Sequence, residues 1–262
     1  VWAGPGGEER SKVFAKRSEA DRYGAAQETD ALRGVFIDPK TARITVGAWC
    51  DNVWLPGYAR HRRSSVRQAH VHVKQIKAEF GSMTFGAVRP SHVRSWAARL
   101  LAGGYAPSYV YVLHSRLAQI FADAVHDGIV PRSPCSRRTS PGQGRQRPYV
   151  ATTDQVWALH EAMPARTRAA VLLGAFAGLR VAETCGLRVT DVDFMRGVIH
   201  PVQQYPAEPL KTETSRMAVP IPASMALQLS AHVATAGGGL LLGVSPHSLE
   251  RAFRAARAAV DG

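Results

Sequence analysis

Between residues 44 and 130, apolar side chains recur at helical spacing four times in succession, and the runs are separated by residues that start or stop helices. "SSVRQAHVHVKQIKAEFG" places Val66, Ala69, Val73, Ile76 and Phe80 on one face, with serines available as the N-cap and Gly81 as the stop. "SHVRSWAARLLAGG" places Val93, Trp96, Ala97 and Leu100 ahead of two glycines. "SYVYVLHSRLAQIFADAVHDG" aligns Tyr109, Val112, Val125 and the cluster Leu117, Ile120, Phe121 and Ala124 between a serine and a glycine. A shorter run around Trp49, Val53 and Trp54 comes first. Segments of these lengths predict a small helical bundle over residues 44–136.

The outer faces of those helices carry Arg60, Arg62, Arg63, Arg67, Lys74, Lys77, Arg94, Arg99 and Arg116 against few acids. Of the net +13 of the 262-residue chain, +11 lies between residues 44 and 147, which hold 15 basic and 4 acidic side chains. That imbalance points to a polyanion, nucleic acid or an anionic membrane surface. The longest apolar run, Ala169 to Leu179, is too short to span a bilayer, and no charged, apolar and small-residue leader opens the sequence. The tight cluster "RHRRSSVR" stands at a helix start, where cations gain nothing from the helix dipole. These arginines and the backbone amides there could instead share a phosphate.

"RRTSPGQGRQRP" then mixes Pro, Gly, Ser and arginine without periodicity, and residues 137–147 read as a basic linker. Its Arg137, Arg138, Arg145 and Arg147 suit either contact with phosphates or a solvated tether. Ahead of the bundle, residues 1–43 hold a short extended candidate, "KVFA", and one helical stretch with Ser18 as N-cap and Gly34 as stop. One strand and one helix do not make a stable domain. Cys50, Cys135 and Cys185 are widely spaced, which argues against a zinc ribbon and a disulfide framework and fits a cytoplasmic protein. His70 and His72 lack acidic or cysteine neighbours at ligand spacing, so no metal is expected.

Residues 148–262 change character. "YVATTDQVWALHEAMP" reads as an extended lead-in, a threonine N-cap and a helix burying Val156, Leu159 and Met163, and "RAAVLLGAFAG" as a buried helix. "GVIHPV" and "RMAVPIP" read as strands around a connection carrying Lys211, and two more helices follow, the last with Leu249, Phe253, Ala256 and Val260 on its apolar face. The fold class is therefore mainly α with a small antiparallel sheet, α+β in the second half.

Inside the apolar stretch "GAFAGLRVAETCGL" stand Arg180 and Glu183. On a surface such an i,i+3 pair is worth about 0.2–0.5 kcal/mol. Directly after a Gly-Leu break, at the first turn of a helix entered from a buried one, an arginine is costly to desolvate unless an acid or an anionic ligand satisfies it. Glu183 can orient the guanidinium and leave part of its fork free for a phosphate.

"GLRVAETCGLRVTDVDF" followed by "LKTETSRMAVPIP" resembles the first half of the catalytic domain of tyrosine recombinases of the phage integrase type, with their G-L-R-x-x-E-x-x-x-L-x-x-x-D-[IV]-D motif and K-T-x-x-S-x-R-x-[VI]-P hairpin. The bundle, with "DGIVPRSPC" at its exit, is similar to that family's helical SAM-like core-binding domain, and residues 12–40 resemble the end of its N-terminal arm-type DNA-binding domain. The resemblance implies a site-specific DNA recombinase acting on attachment-site-like double-stranded DNA through a 3′-phosphotyrosyl intermediate. It implies no metal or nucleotide cofactor, tetramer formation on DNA in the full-length protein, and a nucleoid-associated location.

Under that resemblance Arg180 binds nonbridging phosphate oxygens, Glu183 holds Arg180, and Lys211 protonates the leaving 5′-oxygen as general acid. The family's H-x-x-R box and tyrosine nucleophile do not occur after Lys211, and none of Tyr23, Tyr58, Tyr105, Tyr109, Tyr111, Tyr149 and Tyr205 occupies the nucleophile's place in the motif order. The expectation is a chain truncated before those motifs, binding DNA and forming no covalent adduct by itself. A DNA-binding regulator without chemistry is the alternative. It would have no need of the two motifs in this order.

Overall fold

Proline, more than serine, decides where the long helices of the first half begin. In the computed structural model, which describes residues 2–3, 9–10, 13–32, 43–144, 148–236 and 239–260, two short strands β1 (Trp2–Ala3) and β2 (Glu9–Arg10) pair antiparallel, and helix α1 (Arg17–Leu32) follows. Val13 and Phe14 form no strand, α1 starts before Ser18 rather than after it, and Gly34 lies outside the described residues. Helices α2 (Val46–Trp49) and α3 (Leu55–Tyr58) are joined without a break by a π turn, Cys50–Trp54. Then come α4 (Arg63–Phe80), α5 (Pro90–Ala102) and α6 (Pro107–His126). Pro90 and Pro107 open α5 and α6, ahead of the serines expected to cap them. A proline's missing N–H costs nothing in the first turn and its fixed φ suits the helix. Helix α4 also starts early, with Arg62 at the N-cap and both serines inside.

The π turn has a local cause. Pro56 has no N–H to donate, and in a regular α-helix its ring would meet the carbonyl four residues back, that of Asn52. Widening the turn so that the Leu55 N–H reaches the Cys50 carbonyl removes that clash. The extra residue turns Val53 outward, 48% exposed, and Trp54 inward, 5% exposed, although both were expected on the apolar face. Trp54 Nε1 then donates to Asp123 Oδ2 of α6 at 2.7 Å. It belongs to one core with Trp49, Ile76, Phe80, Phe85, Trp96, Leu117 and Phe121, in which Phe85 lies edge-on to Phe121 at 5.0 Å. Each such large side chain taken from water contributes about 1.5–3 kcal/mol. On α6 the inward residues are Val110 and Leu113, whereas Val112 is 43% exposed.

The segment read as a linker begins as a built turn. Thr139 is buried, its Oγ1 accepts from the Ser136 amide at 2.8 Å, and its hydroxyl donates to the Ser136 carbonyl at 2.9 Å. With that proton committed, His114 Nε2, 3.0 Å away, is the donor to Thr139 Oγ1. Burial pushes the titration of His114 down, and burial followed by the nearby Arg116 does the same for His72, which packs edge-on to Tyr109. The folded state therefore binds fewer protons than the unfolded chain once pH falls below the ordinary histidine value of 6.5. Stability is expected to be level above neutrality and to fall from there toward pH 5, by at most about 1.4 kcal/mol per pH unit for each ring. Urea titration followed by tryptophan fluorescence checks this, and H72F should flatten part of the slope.

In the second half α7 (Thr153–Ala162) starts as its sequence indicated. Thr152 Oγ1 accepts from the Gln155 amide at 3.3 Å and Gln155 Oε1 accepts from the Thr152 amide at 2.9 Å. The buried α8 (Ala169–Ala175) is followed by Gly178 at φ +67, a left-handed turn that redirects the chain into α9 (Val181–Gly186). Strands β3 (Val192–Asp193) and β4 (Val198–Ile199) pair antiparallel, with Val192 opposite Ile199. A separate hairpin, β5 (Gln203–Gln204) with β6 (Glu208–Pro209), was not foreseen. Strand β7 (Val219–Pro220) completes a sheet of order β3-β4-β7, and α10 (Ala223–Ala236) and α11 (Pro246–Val260) close the unit. At Gly186 a Cβ would stand 2.6 Å from the backbone of Gln204 and Tyr205, so only glycine lets the β5–β6 hairpin lie against the end of α9. There the Tyr205 amide donates to the Ala182 carbonyl at 2.8 Å.

The molecule is thus mainly helical with a small antiparallel sheet. It divides into two compact units, Val1–Gln146 and Arg147–Gly262. Cys50, Cys135 and Cys185 are all free thiols. Among the described residues no helix is long and apolar enough to cross a membrane.

Candidate nucleic-acid interface

In the first unit, α4 turns Ala69, His72, Val73, Ile76 and Phe80 into the core. Arg63, Arg67, His70 and Lys74 recur at steps of four, three and four, and all are exposed on one flank of the helix. The two arginines and the lysine form a cationic stripe about 16 Å long, with His70 between them. Arg60 and Arg62, in the turn before α4, extend its N-terminal end and are exposed as well. Three other cations expected on outer faces are engaged within the unit. Lys77 is paired with Asp51 and Arg99 with Glu79. Arg116 lies 4.8 Å over the Tyr58 ring and 5.5 Å over Trp54, with Nη1 donating to Gln119 Oε1 at 2.7 Å. Arg137 and Arg138 are exposed on the Ser136–Ser140 turn, while Arg145 and Arg147 lie outside the described residues.

In the second unit the burial of the Arg180–Glu183 pair is the reverse of the expectation. The Glu183 side chain is 4% exposed and that of Arg180 is 58% exposed. Arg180 is the N-cap residue of α9, and its amide donates to Glu183 Oε2 at 2.9 Å. Its Nη1 donates to Glu183 Oε1 at 2.8 Å and to Ser215 Oγ at 2.6 Å. One guanidinium nitrogen is thus held twice from the protein side while most of the group faces water. Burial by itself would raise the Glu183 carboxyl. The Arg180 amide, the Arg180 guanidinium and the Ser215 hydroxyl outweigh it and hold the group below the ordinary value, so it is ionised at neutral pH.

Lys211 is exposed on the connection between β6 and β7. The same connection contains the 3-10 turn Glu213–Arg216, and that turn carries Ser215 to Arg180. Ser215 was missed because no local pattern marks a contact across 35 positions. The K-T-x-x-S spacing was its only trace. Of the tyrosines in this unit, Tyr149 is exposed in the extended lead-in and Tyr205 sits in the β5–β6 turn. Among the described residues no group of three His, Cys, Asp or Glu side chains is placed to hold a metal ion.

No family model matches the sequence, and no curated protein matches it. The fold defines a class: the chain has the integrase fold. Two of its counterparts are a lambda integrase dimer bound to a COC′ core site and a lambda integrase tetramer bound to a Holliday junction. The first is 19% identical, with 95% of this chain and 75% of that chain covered and a TM-score of 0.70. The second is 18% identical over 97% of this chain and 79% of that chain, with a TM-score of 0.67. The Tn1549 transposon integrase in complex with a circular intermediate DNA is 16% identical over 74% of this chain and 66% of that chain, with a TM-score of 0.64. At these identities the likeness is one of fold.

Proposed function

We propose that this chain is a tyrosine recombinase of the phage integrase type that binds double-stranded DNA and serves site-specific recombination. The observation that carries the reading is the Arg180 guanidinium, gripped through Nη1 by a buried carboxylate and a hydroxyl and otherwise open to solvent. A guanidinium fixed on one side and open on the other suits the nonbridging oxygens of a phosphodiester, whose charge grows as a nucleophile adds. In this reading Arg180 stabilises that charge, Glu183 holds Arg180, and Lys211 donates the proton that the departing 5′-oxygen needs. Arg60, Arg62, Arg63, Arg67 and Lys74 position the duplex through its backbone, which fixes register without reading sequence. Lys77, already paired with Asp51, is at most a minor contact.

Support for a DNA partner comes from the charge distribution and from the fold shared with integrases solved on DNA, one of them as a tetramer on a Holliday junction. Self-association on an attachment-site-like duplex and a place at the nucleoid belong to the same proposal. The test is chemical protection of Arg180. Modification by phenylglyoxal, located by mass spectrometry, is expected to slow at Arg180 when duplex DNA is added. Equal rates with and without duplex would remove the phosphate from this site.

A further inference from the structure

The loop that carries Lys211 is fastened by a contact outside the sheet. At one end Leu210 is buried, at the other β7 pairs with β4, and residues 211–214 between them are exposed. Ser215 reaches back into the unit. Its Oγ accepts from Arg180 Nη1 at 2.6 Å and stands 3.0 Å from Thr212 Oγ1. Thr212 Oγ1 in turn accepts from the Ser215 amide at 3.3 Å, capping the 3-10 turn and fixing where Ser215 points. The Ser215 hydroxyl also helps to hold the Glu183 carboxylate ionised. Two segments far apart in sequence, the start of α9 and the Lys211 loop, thus share one hydrogen-bonded cluster.

We propose that Ser215 is a positioning residue that latches the Lys211 loop onto Arg180, so that the two cations are presented as one unit; its use toward a phosphate rests on the reading of Arg180 given above. The chemistry of the residue fits the task. A hydroxyl accepts from the guanidinium and still has a proton for Thr212 or Glu183, whereas a carboxylate at this position would neutralise the arginine. Thr212 supplies the cap and Ser215 the tie. Without the tie the loop loses its hydrogen bond to the start of α9, and Lys211 is no longer registered against Arg180 through it.

Limited trypsin digestion of the DNA-free chain reads the latch directly, because the loop contains two cleavage sites, Lys211 and Arg216. When opening and reclosing are fast, cleavage follows the open population. Loss of the hydrogen bond in S215A is expected to raise cleavage after Lys211 by roughly threefold to tenfold. S215T, which keeps the hydroxyl, should stay near the parent. R180A should give a similar rise, and S215A/R180A no more than either single change, since both remove one contact. Cleavage after Arg196, in the turn before β4, is the control for general loosening of the unit.

The second measurement is amine acetylation of Lys211 with and without duplex DNA. Protection by DNA in the parent and in S215T, lost in S215A while Lys74 stays protected, supports the latch and its use together. Unchanged cleavage in S215A, or additive effects in the double variant, overturns the latch whatever DNA does. Raised, non-additive cleavage with a Lys211 that DNA never protects upholds the latch and removes Lys211 from the phosphate site.

Discussion

Raising salt from 50 to 200 mM is expected to weaken binding of this chain to a DNA duplex by about a thousandfold or more, because six or more phosphate contacts each release counterions. Five of the contacts are assigned to the α4 stripe and the turn before it, through Arg60, Arg62, Arg63, Arg67 and Lys74, and the others to Arg137 and Arg138, so the slope should respond to specific side chains. Replacing Arg63, Arg67 and Lys74 together by glutamine removes three contacts and should lower the slope of log affinity against log salt by about 2.7. At 100 mM salt the same variant should bind about five hundredfold more weakly. K77Q is the informative control. Its ammonium is already paired with Asp51, so the slope should hardly change. Fluorescence anisotropy of a labelled duplex over the salt range gives all three values. A flat response in the parent, or a full unit of slope lost in K77Q, would contradict the assignment.

Glu183→Ala is expected to destabilise the second unit by roughly 1–3 kcal/mol, well above what an exposed i,i+3 ion pair contributes. Two bonds depend on that carboxylate, from the Arg180 amide and the Arg180 guanidinium, and the Ser215 hydroxyl helps to keep it ionised. The amide is the costly one to abandon, since it is the first unpaired donor of α9 and part-buried. The guanidinium, largely in water, loses little. The pH dependence has a definite sign. A carboxyl held below its unfolded value of 4.5 stabilises the fold fully above that pH, and the contribution is lost as pH falls through the lower folded value. Urea denaturation from pH 6 to pH 3 should therefore show a parent curve falling faster than that of E183A. E183Q keeps an acceptor for the amide, so it should lose less than alanine and be equally insensitive to acid.

Most of the helices were legible because burial imposes a period of 3.6 and the inward residues obey it: Ala69, Val73, Ile76 and Phe80 on α4, Leu117, Ile120 and Phe121 on α6. Thr152 with Gln155 announced α7 through a strictly local exchange of hydrogen bonds. Departures arose where a second local rule overrode the first. Pro90 and Pro107 claimed helix positions ahead of the serines, and Pro56 forced the π turn that exchanged Val53 for Trp54. At the site, the R-x-x-E spacing allows a bond between the side chains, but spacing carries no information about which one the rest of the unit covers. That depends on what packs against α9: the preceding α8, and α11 and the Lys211 loop, which are distant in sequence. For the same reason the β5–β6 hairpin and the Ser215 contact had to be seen in three dimensions.

The π turn in the first unit makes residues 50–54 a place where chain length is negotiable. A regular helix cannot lose a residue without rotating everything beyond it by about 100° and dragging its apolar face into water. Here one surplus residue is already stored in the widened turn, kept there by Pro56. Deleting Asn52 while changing Pro56 to alanine would let the turn close to ordinary width with Trp54 still facing Asp123. In α4 or α6 a single deletion has no such reserve to draw on. The bundle is therefore forgiving of a deletion at one point of its first helical segment and intolerant of one along α4 and α6, which supply nine of its nineteen buried core residues.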